Sequence, residues 1–274
     1  MLRSVLSAIS SNWPFPNGSD GFLYRFCRNL NLGSGERLAR TSDGVMLTVI
    51  ADDLIGRHIL LSGSFDRASV QVLIEHSREG DVIADIGANI GYVSACLLSN
   101  IPESKAICFE PQPAVATLLR RNLAQFGDRA YIREIALSDH SGTAVLHINN
   151  ENLGGSSLAG DGAGVEVSVK HAGEQLRSLD KLDLVKIDVE GHEQPIIEAL
   201  EDELKRLQPR AILFEDHSGE GHPEGTIGRV LARSGYIVFG LTRGWRATRL
   251  ISISSKEDCK FNDYLAVLRR TDGA

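Results

Sequence analysis

No apolar run in this 274-residue chain approaches the roughly 20 residues that a membrane span needs. A signal peptide's strong apolar centre is also missing: the opening MLRSVLSAISSNWPFP carries one arginine and a short run broken by serines. Cysteine is scarce, and Cys27, Cys96, Cys108 and Cys259 form neither a CxxC pair nor a zinc-ligand spacing. This usage fits a reducing cytoplasm. There is no basic surplus: 29 Lys and Arg stand against 36 Asp and Glu, a formal net charge of -7. That balance argues against a nucleic-acid partner held by phosphate neutralisation. Internal repeats and disordered linkers are absent too. What is present is the composition of an ordinary globular protein, 42% hydrophobic and 24% charged. The length suits one large domain, or a domain with an accessory segment.

Residues 1–79 read as an N-terminal extension packed on a main domain of residues 80–274. WPFPNGSDG is rich in turn residues, VMLTVIADD reads as a strand, HILLSGSF as a second one, and RASVQVLIEHS has helical spacing. From residue 81 strands alternate with helices: VIADI, then YVSACLLSN; KAICFE, then AVATLLRRNLAQFG; then AYIREIAL. TAVLHIN and VEVSVK form an extra pair around the glycine-rich loop GGSSLAGDGAG. The rhythm resumes with LDLVKID, the helix PIIEALEDEL, the strand RAILFE, the helix TIGRVLARSG, and closing strands YIVFG and DYLAVLR. Such alternation implies βαβ units, an α/β fold and a mostly parallel sheet.

In an open parallel sheet, ligands bind beyond the C-terminal ends of the strands. Four strands here end on acids: Asp85, Glu110, Asp188 and Glu215. Capping of the following helices would explain any one of them. Together they point to a ligand crevice. DIGANIG supplies a strand-turn-helix with Gly87 and Gly91, but position 89 is Asn, so the GxGxxG of a dinucleotide site is missing and NAD is disfavoured. Glu110, ending the second strand, suits a grip on two ribose hydroxyls and would repel a 2′-phosphate. The expected ligand is an adenosine-type nucleoside without pyrophosphate. S-adenosylmethionine fits, because its ammonium and sulfonium suit an acidic crevice.

DVIADIGANIGYVS, AICFEPQPAVATLLRRNL, IALSD, GGSSL and LVKIDVEGHE occur in this order. The chain thereby resembles the FkbM family of S-adenosylmethionine-dependent methyltransferases, with VKIDVEGHE its most distinctive part. The resemblance implies a class I, Rossmann-like methyltransferase fold: seven strands, the last antiparallel. It also implies methyl transfer to an oxygen of a sugar, polyketide or similar natural product, so the expected partner is a small-molecule or glycan acceptor. On this basis Asp85, Gly87 and Gly91 serve the methionine end of the cofactor, with Asp85 on its ammonium, and Asn89 either joins them or is there to tolerate a left-handed backbone. Glu110 takes the ribose, the backbone of Leu137 or the side chain of Asp139 takes the adenine amino group, and Asp188 faces the transferring methyl.

The acceptor side holds more open choices. Lys186 shares a strand face with Asp188. It either forms a buried ion pair, with Glu215 as the expected partner, or aims at the acceptor. Asp188 and His217 are alternative bases, Glu190 contacts the acceptor, and Glu193 caps the next helix. His192 reads as a loop residue. A divalent ion on Asp188, Glu215 and Asp216 is a second route, ranked below metal-free transfer. Arg243, Arg246 and Arg249 around Trp245 suit either an anionic acceptor or a solvated loop. The reading is an O-methyltransferase. N-methylation and a non-catalytic cofactor-binding module are the alternatives, and the charges at Lys186, Asp188, Glu190, Glu215 and His217 argue against the module.

Overall fold

A computed structural model describes residues 32–148, 155–158, 164–243 and 248–269. The turn-rich WPFPNGSDG, Cys27, Trp245, Arg246 and most of the glycine-rich loop lie outside the described residues. The first elements are an antiparallel hairpin, β1 (Glu36–Arg40) and β2 (Met46–Ile50). Helix α1 (Leu54–Ser62) follows. Here the structure corrects the strand expected from HILLSGSF. The Asp53 carboxylate accepts from the Ile55 and Gly56 amides, and Gly63, at φ 75°, ends the helix in a left-handed cap. The two signals bracket nine residues whose Ile55 and Ile59 share one buried face. Helix α2 (Arg67–Glu75) buries Val70 and Leu73, as its spacing foretold.

The βαβ rhythm then runs β3 (Val82–Ile86), α3 (Tyr92–Asn100), β4 (Lys105–Phe109), α4 (Pro113–Leu123) and β5 (Ala130–Arg133). AYIREIAL is not one strand. It breaks after β5, and β6 (Ala136–Ser138) joins β7 (Gly142–His147) and β8 (Gly164–His171) in a separate three-stranded sheet. β5 is the edge of the main sheet and half exposed, whereas β6 is wholly buried. The chain must therefore turn off the edge between them. After the short α5 (Ala172–Leu176) come β9 (Leu184–Ile187), α6 (Glu193–Ala199), α7 (Glu201–Leu207), β10 (Ala211–Glu215), α8 (Thr226–Arg233), β11 (Tyr236–Arg243), β12 (Thr248–Ser252) and β13 (Asp263–Leu268). No helix among the described residues is long and apolar enough to cross a membrane.

The main sheet has the order β12-β11-β13-β10-β9-β3-β4-β5. β10, β9, β3, β4 and β5 are parallel neighbours, and the last strand, β13, runs antiparallel to both β10 and β11. β12 adds an eighth strand to the seven that the resemblance implies. Strand order reverses between β3 and β9, the switch point at which a doubly wound sheet opens its crevice. Alternation fixes what faces each side. Ile83, Leu184 and Leu213 pack under α2 and α3, in a core that also takes Leu47 and Val49 of the hairpin and Ile59 of α1. Ile86, Val185, Ile187 and Phe214 pack under α6 and α8. Each such leucine or isoleucine contributes on the order of 1.5–3 kcal/mol of burial, enough to hold the strand ends in register.

Candidate active site

At the switch point β3 and β9 pair with Asp85 opposite Lys186 and Ile86 opposite Ile187. The two motifs, DIGANIG and KIDVEGHE, thus leave the sheet side by side. The approach is close: a Cβ on Gly87 would lie 1.9 Å from the Asp188 carbonyl oxygen, and Gly87 sits at φ 79°. Only glycine fits there. The turn is tied to β4. The amides of Gly87 and Ala88 both donate to the Phe109 carbonyl at 3.0 Å, and the Asn89 amide donates to Glu110 Oε2 at 3.0 Å. The Gln112 amide donates to the other Glu110 oxygen at 2.9 Å. Burial nevertheless pushes the Glu110 carboxyl up to about 7.

Two cavities open from this point. The first is a cleft spanning about 590 Å³ with its open, solvent-facing part included. Its floor is Glu110, Pro111 and Gln112 beyond β4; Ile135, Leu137, Leu146 and Leu158 give it an apolar side. The second, about 870 Å³, is lined by Lys186, Asp188, Glu190 and Glu215 from the sheet. Ile55, Phe65 and Asp66 of the N-terminal segment, with Arg243 and Asp263, form its opposite wall. Gly87, Asn89, Asp188 and Glu190 line both.

Charge is handled unevenly around the second cavity. Lys186 is buried and does not pair with Glu215, the partner that one of the two sequence-based alternatives gave it. Its Nζ donates to the Gly87 carbonyl at 3.0 Å and lies 3.5 Å from Asp85 and 3.3 Å from Asp188. Burial works against its charge, but Asp188 and Asp85 outweigh it, and the ammonium is held above the usual lysine range. Arg243 bridges Asp66 at 2.7 Å and Asp263 at 2.6 Å. Burial raises Glu215, and its neighbours Asp188 and Glu190 raise it further. Glu190 is raised by burial and by Asp188.

Four of the residues expected in catalysis or cofactor binding line neither cavity as the described residues form them. Asp85 is fully buried: Ser94 Oγ donates to it at 2.6 Å, and Lys186 stands between it and the opening. Gly91 packs against Leu119 and Leu123 of α4. Asp139 is exposed and engages His140 and Ser138, whereas Ala136 and Leu137 line the first cavity. His217 is half exposed and pairs with Glu215 at 3.1 Å. The metal alternative changes as well. Asp216 is consumed by its own turn, accepting from Ser218, Gly219 and Gly221. Among the described residues, oxygens of Asp188, Glu190 and Glu215 instead come within 4.8 Å of one another, a spacing that can hold a divalent ion.

Sequence reasoning missed several lining residues. His192 lines the first cavity, with Ser138 Oγ 2.9 Å from its Nε2. Glu193, expected as a cap, folds back to accept from the Val189 and Gly191 amides. Leu146 and Leu158 arrive from the small sheet, whose arm is tied down where Ser157 Oγ donates to the Glu190 carbonyl at 2.9 Å. No local signal marks them.

A parallel sheet opened at its switch point, an antiparallel last strand and a buried acid ending β4 define the class I, Rossmann-like methyltransferase architecture. Residues 85–238 match the Methyltransferase FkbM domain, more than half of the chain, and the protein belongs to that family. Among curated proteins it is similar to the hexuronic acid methyltransferase AglP of Haloferax volcanii, at 26% identity over 55% of this chain and 62% of that one. It is also similar to the 2-O-methyltransferase NoeI of Sinorhizobium fredii, at 27% identity over 53% of this chain and 67% of that one. Against the first of these, then, the chain spans about three-fifths of the relative's length. Similar solved structures include a precorrin-6y C5,15-methyltransferase from Geobacter metallireducens, with TM-score 0.42, 16% identity, and coverage of 74% of this chain and 88% of that one. Another is the Pyrococcus abyssi tRNA (uracil-54, C5)-methyltransferase in complex with S-adenosyl-L-homocysteine, with TM-score 0.44, 14% identity, and coverage of 86% and 44%. The exclusion of a nucleic-acid partner rests on net charge alone.

Proposed function

We propose that the protein transfers a methyl group from S-adenosylmethionine to a hydroxyl of a sugar or related natural product. The observation that carries this reading is the pair of cavities joined at Gly87, Asn89, Asp188 and Glu190. The first fits an adenosine. Both Glu110 oxygens are already anchored by backbone amides, which aims their remaining lone pairs as a fixed fork for two hydroxyls. Ile135, Leu137, Leu146 and Leu158 offer apolar faces to a purine.

The bound donor supplies an electrophilic methyl on a sulfonium, which leaves as a neutral thioether when an acceptor oxygen displaces it in line. The chain's own residues do the rest. Gly87 and Asn89 hold the methionine end at the mouth of both cavities. Asp188, side chain 45% exposed and lining both, takes the acceptor's hydroxyl proton. A base so placed contributes on the order of 10²–10⁴-fold. Glu190 and Glu215 accept from neighbouring acceptor hydroxyls, and Phe65 with Ile55 covers an apolar ring face. Ile55, Phe65 and Asp66, from the segment before residue 80, thereby serve in the acceptor-side wall of a domain spanning 80–274. Hydroxylated sugars are the acceptor class favoured by the AglP and NoeI names. A second reading, methylation of an amine, is favoured by the five carboxylates and two cations that line the second cavity.

The experiment is transfer of a labelled methyl from S-adenosylmethionine to a panel of glycosides, hydroxylated polyketides and amines. Label on a hydroxyl is the expected result. Label on amines alone selects the second reading, and failure to bind the donor at all removes both.

A further inference from the structure

Lys186 answers neither of the two roles that its sequence position suggests. It points neither to Glu215 nor freely into the acceptor cavity. Its three near neighbours are the Gly87 carbonyl at 3.0 Å, Asp188 at 3.3 Å and Asp85 at 3.5 Å. Gly87 and Asp188 are two of the four residues that line both cavities, and each belongs to a different motif. Other tethers of the glycine turn run toward β4, through the Phe109 carbonyl and Glu110, and toward α4, where Asn122 Nδ2 donates to the Ile90 carbonyl at 2.8 Å; the backbone of β9 meets the end of β3 where the Asp188 amide donates to the Ile86 carbonyl at 3.0 Å. The Lys186 ammonium adds a side-chain bond that ties Gly87 itself in the other direction, toward β9.

Resting on the reading above, we propose that Lys186 is a positioning residue. By holding the Gly87 carbonyl and the Asp188 carboxylate at once, it fixes the cofactor turn against the acceptor-side acid. A side chain of this kind preorganises a site without touching the reacting atoms. Asp85, sealed behind it and bonded to Ser94, then acts as the counter-charge that keeps the ammonium in place. This gives the motif aspartate a task that needs no contact with the cofactor.

A bland alternative is that Lys186 merely neutralises two buried carboxylates. The two accounts separate in ligand affinity rather than stability. The probe is S-adenosylhomocysteine, titrated calorimetrically into the full chain, with thermal unfolding measured beside it. Lys186→Met is expected to weaken binding by roughly tenfold or more, the loss typical of a charge-assisted hydrogen bond at a binding site. It also leaves Asp85 uncompensated and lowers Tm. The double variant Asp85→Asn/Lys186→Met removes that buried charge. It is expected to regain Tm while binding stays weak, because the Gly87 carbonyl still lacks its donor. If affinity returns together with stability in the double variant, or never falls in the single one, Lys186 is only a counter-ion and the proposal is overturned. A wild-type protein that binds neither S-adenosylhomocysteine nor S-adenosylmethionine instead overturns the functional reading on which it rests.

Discussion

The two ends of the central sheet treat buried charge in opposite ways. At the N-terminal ends of β3, β9 and β10, Arg210 bridges Asp81 and Asp183, with Nη1 2.8 Å from Asp183. Lys181 adds a contact to Asp183 at 3.1 Å, and the Arg78 and Val82 amides donate to the two carboxylates. Two acids meet two bases, backbone amides add to Asp81 Oδ2 and Asp183 Oδ2, and no cavity described above opens there. At the C-terminal ends the second cavity is lined by Asp66, Asp188, Glu190, Glu215 and Asp263 against Lys186 and Arg243. Folding alone gives no reason for that surplus, since unpaired buried charge is costly. The balanced end behaves as a structural clip, and the unbalanced end as a site whose stability is compromised for ligands.

The contrast can be broken from either side. The largest effect is expected from Asp188→Asn, which should lower methyl transfer by about 10²–10⁴-fold while the fold and S-adenosylhomocysteine binding persist; full turnover would move the proton transfer elsewhere. Arg210→Met acts on the other end. It strands the buried Asp81 carboxylate, while Asp183 keeps Lys181, and should cost about 3–5 kcal/mol in denaturant unfolding, with the affinity of the folded fraction unchanged. A parallel loss of affinity would dissolve the distinction between clip and site.

Next in size is a pH effect. Glu110 is raised from 4.5 to about 7 by burial, so between those values the folded state keeps a proton that the unfolded chain has lost. Its stabilising contribution is complete below the unfolded value and is lost as pH rises through the folded one. The slope is about 1.4 kcal/mol per pH unit for a single group. Glu215 and Asp263, also raised by burial, act in the same sense. The ligand-free protein should therefore lose Tm as pH rises from about 5 to 7, and Glu110→Gln should flatten that slope. A Tm that climbs over this window would contradict the assignment. The smallest effect is none: on the metal-free reading EDTA leaves transfer unchanged, and its abolition would place an ion on Asp188, Glu190 and Glu215.

Much of this was legible because strand ends are local signals. A β-branched run closed by an acid marked Asp85, Glu110, Asp188 and Glu215, and all four stand at the C-terminal edge of the main sheet. The strand-helix alternation likewise pointed to a mostly parallel sheet, and the family resemblance to its antiparallel last strand. The failures are of two kinds. Some lay in reading hydrophobicity before punctuation: HILLSGSF looked like a strand although Asp53 and Gly63 bracket a helix. Others depend on packing that spacing does not encode. Lys186 has β3 on one side and β10 on the other, and only the folded register shows its ammonium turning to Asp85 rather than Glu215. The wall of Ile55, Phe65, Asp66, Arg243 and Asp263 gathers residues about 200 positions apart, a distance that entropy of chain closure tolerates but no short motif can announce.

The most direct test of the central claim, that the unbalanced end of the sheet is a nucleoside-sulfonium site, is calorimetric titration of the purified protein with S-adenosylmethionine and S-adenosylhomocysteine. The account predicts saturable binding of both on the micromolar scale, lost when Glu110 is replaced by Ala. Absence of heat with either compound, in a protein shown to be folded by its thermal transition, would contradict it.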